Sequence, residues 1–302
     1  MSWRWRKVFR NGPINTTVTT KGVGWSIGVR GLRFGISPAG RHYVSVGIPG
    51  LGLYWTKYLV GPDTTKHWRS ISNMEQVPFD AGKIGFANNP EPRCASLLIL
   101  DISSSMSGQP INELQAGLTL YRDELAADTL ARKRVEVAIV TFGGLVEVIQ
   151  QFATAESFSS PVLEPKGDTP MGEALVTSLK LLEDRKSEYR QNGIQFYRPW
   201  VFLITDGGPT DANSQFWSDA KEKIRQGEEQ KKFSFFAVGV EGADMDRLKE
   251  LSPTRTPLKL KGLRFRDLFQ WLSNSQQSVS QSKPGDTVPL SNPVAPNGWA
   301  EI

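Results

Sequence analysis

Three short polar clusters carry the residue types that could do chemistry together. Asp101-Ile102-Ser103-Ser104-Ser105 directly follows the apolar run at 95–100 (ASLLIL). Asp168-Thr169-Pro170 immediately precedes a helical pattern, and Thr205-Asp206-Gly207-Gly208 directly follows a second apolar run at 201–204 (VFLI). Together they offer two carboxylates, Asp101 and Asp206, and three hydroxyls, Ser103, Ser105 and Thr169. Hard oxygen ligands of this kind suit Mg²⁺ or Mn²⁺. In D-x-S-x-S, alternate side chains of an extended turn point the same way, so Asp101, Ser103 and Ser105 can converge. Two carboxylates balance a divalent charge, while neutral hydroxyls fill further positions and leave the ion electrophilic. Mg²⁺ takes six ligands, so a vacancy would accept water or an acidic group from another molecule.

Each cluster also has a plain structural reading. Asp101 and Ser103 could shape a turn. Asp168 or Thr169 could cap a helix with Pro170 at its first position. Asp206-Gly207 is a common turn pair. All three clusters lie beside predicted strand ends, where open α/β sheets gather ligands, and this favours a metal site.

The elements that must position these residues alternate between strand and helix. Residues 95–100 predict a buried parallel strand. Ile111, Leu114, Leu118, Tyr121 and Leu125 recur on one face of a helix. Residues 135–142 predict a strand. Gly143-Gly144 joins it to 145–152 by a tight hairpin, so that strand should be antiparallel and at an edge. Met171, Leu175, Leu179 and Leu182 mark another helix, 201–205 a strand, 214–228 a polar surface helix and 233–240 a strand. Phe265, Leu268, Phe269 and Leu272 close with a helix. This alternation predicts an α/β, Rossmann-like, doubly wound fold with a mostly parallel sheet and one antiparallel edge strand.

The N-terminal part has a different character. The chain of 302 residues carries a net charge of +5, yet nine of its basic residues and no Asp or Glu lie in residues 1–60. The remainder is net acidic, which predicts two units with different tasks. Short β-favouring runs separated by glycines fill 14–58, with Ser37-Pro38-Ala39-Gly40 as a turn, and predict an antiparallel meander. Gly47-Ile48-Pro49-Gly50-Leu51-Gly52 does not match G-x-G-x-x-G and no helix follows, so it is not read as a phosphate loop. The opening WRWRKVFR interleaves aromatics with Arg4, Arg6, Lys7 and Arg10. It could be an adhesive face for nucleic acid or anionic lipid, or an edge strand with its tryptophans packed inward and its arginines in water.

The expected organisation is a small basic β domain at 1–58, a Pro-containing linker at 59–92 with some short structure around 71–79, the α/β domain at 93–275 and a flexible tail at 276–302. The tail is rich in Ser, Gln, Pro and Gly, and its Trp299 could dock elsewhere or pack back on the domain. The first residues lack an apolar signal-peptide core, no apolar run approaches a membrane span, and the single Cys94 excludes an internal disulfide; a cytoplasmic location is expected.

DISSSMSG, KGDTPMGEAL and FLITDGGPTD resemble the metal-ion-dependent adhesion site of a von Willebrand factor A domain, over about residues 93–275. Within that superfamily they are most similar to the bacterial TerY-type proteins of tellurium-resistance and stress operons. The resemblance implies that Asp101, Ser103, Ser105, Thr169 and Asp206 are metal-site residues. It also implies work beside a protein kinase and a PPM-type phosphatase, in stress response or phage defence. The cysteine-rich zinc module of some relatives is excluded by the single cysteine. Trp3–Arg10 and Tyr43–Leu53 resemble a small bacterial N-terminal domain of unknown function.

The expected function is therefore a metal-dependent protein-interaction adaptor that binds a partner's acidic residue, with the basic first domain as a second binding surface. An alternative makes that first domain the main element, anchoring a scaffold to nucleic acid or membrane. A metal-dependent hydrolase is a further alternative. No P-loop, G-x-S-x-G or H-E-x-x-H is present, and His42 and His67, the only histidines, lie outside the α/β domain, so no enzyme is expected.

Overall fold

A computed structural model describes residues 6–11, 14–20, 22–29, 32–38, 42–47, 54–58, 86 and 89–302. The chain divides into two compact units, Met1–Phe79 and Asp80–Ile302. Trp3, Arg4 and Trp5, the 71–79 stretch and nearly all of the expected linker lie outside the described residues.

The first unit is a six-stranded antiparallel meander. β1 (Arg6–Asn11), β2 (Ile14–Thr19), β3 (Gly22–Val29), β4 (Leu32–Ile36), β5 (His42–Gly47) and β6 (Tyr54–Tyr58) pair each with the next. Glycine here serves close backbone approach: a Cβ on Gly28 would stand 2.2 Å from the Leu32 carbonyl oxygen.

The second unit is built on a seven-stranded sheet in the order β13-β12-β11-β10-β7-β8-β9. β7 (Cys94–Asp101), β8 (Val135–Gly143), β10 (Trp200–Thr205), β11 (Ser234–Gly239) and β12 (Leu258–Leu260) are parallel. β9 (Leu145–Thr154) returns antiparallel to β8 at one edge through Gly144, whose φ of +71° suits glycine. β7, β8 and β10 read as continuous apolar runs because both sheet faces are covered. Leu98 and Leu100 face α1 (Gln109–Ala127) and α6 (Phe265–Gln281), whereas Leu97 and Ile99 face α3 (Met171–Gln191) and α4 (Gln215–Glu229). Two shorter helices, α2 (Ala131–Arg134) and α5 (Met245–Leu251), complete the unit. The fold is thus the expected α/β arrangement with a mostly parallel sheet, preceded by an antiparallel β sheet.

Two expectations at the C-terminus are corrected. α6 runs to Gln281 because its polar residues are buried, not solvated. Ser273, Ser275, Gln276 and Ser280 all lie inside, and Gln276 Oε1 accepts from the Tyr121 hydroxyl at 2.5 Å. The segment beyond α6 is not a flexible tail. It crosses back so that β13 (Ala300–Glu301) pairs antiparallel with β12, giving the sheet a second antiparallel edge. Trp299 is buried, in edge contact with Trp271, whose indole N–H donates to the Ser291 carbonyl at 2.8 Å. Of the two fates open to Trp299, the structure takes packing back.

Candidate metal centre

β7 and β10 are adjacent parallel strands, with Leu100 opposite Ile204, so Asp101 and the Thr205-Asp206 pair leave the sheet side by side. Asp101 is fully buried at the end of β7. Its two oxygens are each held by a donor: the Ser103 backbone N–H at 2.8 Å and the Thr205 hydroxyl at 2.5 Å. A single 3₁₀ turn at Ser104–Met106 then swings Ser105 over the strand ends. The Ser103 and Ser105 hydroxyl oxygens are 3.0 Å apart, and Ser105 donates to Asp206 Oδ1 at 2.8 Å. Thus Asp101, Ser103, Ser105 and Asp206 form one continuous polar patch.

The third cluster closes the patch from the side. The Ser104 N–H and hydroxyl both donate to the Gly167 carbonyl at 3.0 Å, and the Lys166 N–H donates to the Ile102 carbonyl at 2.7 Å. Gly167 has φ +67°, and a Cβ there would lie 2.5 Å from Gly144 Cα, so only glycine lets this loop lie against the β8–β9 turn. Thr169, buried, follows. Its hydroxyl sits beside Gly207, where an added Cβ would be 3.6 Å away, and its carbonyl accepts the Thr210 N–H at 2.9 Å. All five expected site residues therefore gather at the carboxyl end of the sheet. On the first unit, Arg4 is outside the described residues, Arg6 and Arg10 are placed only as backbone of β1, and Lys7 is exposed with its ammonium 5.1 Å from the Phe9 ring centre.

Helix capping differs from expectation. Neither Asp168 nor Thr169 caps α3, and Pro170 occupies the N-cap position rather than the first helical one. The cap is Asp211, whose carboxylate accepts from the Gly172 and Glu173 N–H groups at 3.0 Å each. No local spacing signals this, because donor and acceptor lie about forty residues apart in the chain. Thr205 was also missed as the residue that orients Asp101; its position at the last residue of an apolar strand was the available signal.

Electrostatics fit a cation. Burial pushes the Asp101 carboxyl above its ordinary value; hydrogen bonds from Ser103 and Thr205 oppose this, and the nearby Asp206 charge adds to it. Burial raises Asp206 as well, against the Ser105 hydrogen bond. Two neighbouring carboxylates with raised pKa values are groups whose ionised form lacks a counter-charge. Among the described residues no three His, Cys, Asp or Glu side chains cluster at metal-binding distance. The oxygens gathered here are the carboxylates of Asp101 and Asp206 and the hydroxyls of Ser103, Ser105 and Thr169, hard donors of the kind that Mg²⁺ or Mn²⁺ takes.

Comparison with known proteins agrees with the fold. Residues 97–266 match the family model of the von Willebrand factor type A domain, more than half of the chain. The chain belongs to this family. A second family model, described as a protein of unknown function (DUF4236), matches residues 3–56 of the vWA chain. No curated protein matches it. Among solved structures it is similar to the ArnB paralog VWA2 from Sulfolobus acidocaldarius, at 17% identity over 61% of this chain and 45% of that one, with a TM-score of 0.40. It is also similar to the manganese-loaded TRAP protein of Plasmodium vivax, at 19% identity, 54% and 63% coverage and a TM-score of 0.40. A third is proximal thread matrix protein 1 from the mussel byssus, with a zinc-occupied MIDAS motif, at 16% identity, 62% and 48% coverage and a TM-score of 0.43. The vWA chain spans less than two thirds of the length of each of these proteins. Among the described residues no helix is long and apolar enough to cross a membrane.

Proposed function

We propose that this vWA chain is a metal-dependent protein-interaction adaptor that captures an acidic residue of a partner protein, with the basic first unit as a second binding surface. The observation that carries the reading is the linked set Asp101–Thr205 and Ser103–Ser105–Asp206 at the carboxyl end of the sheet. The residues that would hold the ion are Asp101, Ser103, Ser105, Thr169 and Asp206. A bound Mg²⁺ or Mn²⁺ supplies an electrophilic position open to a carboxylate oxygen.

The chain's own residues do the rest. Thr205 fixes the Asp101 carboxylate, and Ser105 fixes that of Asp206. Asp211 pins the start of α3 and so the loop that carries Thr169. The manganese of the TRAP structure and the zinc of the byssus protein belong to those proteins, and they are consistent with a divalent ion here. The TerY-like segments DISSSMSG, KGDTPMGEAL and FLITDGGPTD support a place in a bacterial stress-response or phage-defence system, beside a kinase and a PPM-type phosphatase. No histidine lies in the second unit, and no P-loop, G-x-S-x-G or H-E-x-x-H motif accompanies the site. Binding, not hydrolysis, is therefore the proposed activity.

The test is affinity capture from native lysate with the parent chain and Asp206→Ala, each in Mg²⁺ and in EDTA. A partner retained only by the parent in Mg²⁺ is the expected result. The same partners on both proteins would remove the metal centre from the interaction.

A further inference from the structure

The six-stranded sheet of the first unit has its apolar side chains on the outside. Along β3, Val23, Trp25 and Ile27 are exposed, whereas Gly24 and Ser26 are buried. A strand with one face on an apolar core shows the opposite alternation. The register carries the exposed set across the sheet. Phe9 and Trp25 both lie opposite Thr16, Ile27 opposite Phe34, and Leu32 opposite Val46. Directly paired residues project to one face. That face therefore carries apolar residues on β1, β3, β4 and β5 that are 40–61% exposed. Lys7 on β1 and Lys57 on β6 lie on the same face, opposite Val18 and Val44, and both are exposed. The cations thus stand on the two outer strands, with the apolar residues between them. A patch of this extent marks an interaction site.

We propose that this face docks on an anionic lipid bilayer. Its aliphatic and aromatic side chains enter the boundary between headgroups and acyl chains, while Lys7 and Lys57 meet the negative headgroups. Charge decides the occupant. Residues 1–60 carry nine basic residues and no carboxylate. Face-to-face pairing with a second copy would oppose two like-charged sheets, neither of which carries an acid within its strands. Single-stranded nucleic acid uses aromatic platforms on which bases stack. Here four of the seven most exposed apolar residues among those described on the face, Val23, Ile27, Leu32 and Val46, are aliphatic; they offer bases no ring to stack on and bury favourably in hydrocarbon. The proposal rests on the reading of the first unit as a second binding surface and not on the metal centre.

The test is vesicle flotation of the full chain in EDTA, with phosphatidylcholine vesicles and with vesicles containing about one third phosphatidylserine. Two variants accompany it: Trp25→Thr/Phe34→Thr, which keeps strand-favouring residues, and Lys7→Glu/Lys57→Glu, which leaves the apolar surface intact. Circular dichroism checks that each is folded. The expected result is flotation with the anionic vesicles only, weakened about tenfold by either variant and by about 0.5 M salt. Equal flotation with both lipids, or with neither, would overturn the proposal. So would a dimer abolished by Trp25→Thr/Phe34→Thr, or single-stranded DNA outcompeting the anionic vesicles. Because EDTA is present throughout, failure here leaves the metal-dependent reading standing, and failure of that reading leaves this one standing.

Discussion

The Ser105 hydroxyl donates to the Asp206 carboxylate at 2.8 Å, joining two segments 101 residues apart. The bond links the turn after β7 to the end of β10. It places a neutral donor oxygen beside a carboxylate that burial has made reluctant to ionise. Removing the acid should therefore do more harm to ion binding than removing the hydroxyl. Asp206→Ala and Asp101→Ala should abolish Mn²⁺ binding with the fold retained. Ser103→Ala should weaken it less, since water can replace one neutral ligand. Titration calorimetry checks the order; equal losses for Ser103→Ala and Asp206→Ala would contradict it.

A residue that touches no ion in this account should still matter. Thr205 donates to buried Asp101, and losing the donor leaves a carboxylate oxygen unsatisfied. Thr205→Val keeps the shape and removes the bond. Metal affinity should fall roughly 10–100-fold, the usual range for an outer partner of a ligand. Thr205→Ser should restore most of it. Parent-like affinity in Thr205→Val would show that Asp101 orients itself.

The raised Asp101 and Asp206 pKa values set a pH dependence. A carboxyl raised in the folded state stabilises the fold when protonated. That contribution is complete below the unfolded pKa and is lost as pH rises through the folded one. The metal-free chain should thus lose this share of its stability on going from acid to neutral pH. Ion binding needs the ionised form, so it strengthens over the same rise. The Mn²⁺-induced increase in Tm should be largest near neutrality and shrink toward about pH 4. A shift that does not change with pH would contradict this.

Much of the centre was legible because it is local. An apolar strand followed at once by D-x-S-x-S, and another followed by T-D-G, place their ligands by chain geometry alone. The β8–β9 hairpin was legible in Gly143-Gly144. What was not legible depends on distant partners. Asp211 caps a helix from a later loop, and Thr205 bonds across strands. Ser273, Ser275 and Gln276 look solvated by composition but are buried; Glu124 of α1 accepts from Ser273, and Tyr121 of α1 donates to Gln276. The apolar face of the first sheet appears only when register assigns side chains to faces.

The C-terminal return supplies a stability test. Trp299 is buried against Trp271, but its indole N–H has no hydrogen-bond partner. Its contribution should come from packing alone. Trp299→Ala should cost about 3–5 kcal/mol, and Trp299→Phe distinctly less. Equal losses in urea unfolding would point to a polar role for the indole.

A buried ion network gives a larger effect away from the metal. Glu136 accepts from Arg93 at 2.8 Å, from Arg185 at 2.8 Å and from the Tyr189 hydroxyl at 2.6 Å, with Arg93 and Glu136 each 1% exposed. Glu136→Ala should destabilise by about 3–5 kcal/mol, because it strands a buried guanidinium. Metal affinity of the folded fraction should not change, since Glu136 pairs at the opposite end of the sheet from Asp101.

The central claim is that Asp101 and Asp206 jointly hold a divalent ion. Electron paramagnetic resonance of Mn²⁺ titrated into the full chain, compared with Asp101→Ala/Asp206→Ala, tests it most directly. The account predicts that the free Mn²⁺ signal is suppressed by the parent, up to one ion per chain, and is unaffected by the double variant. Equal suppression by both proteins, or by neither, would contradict it.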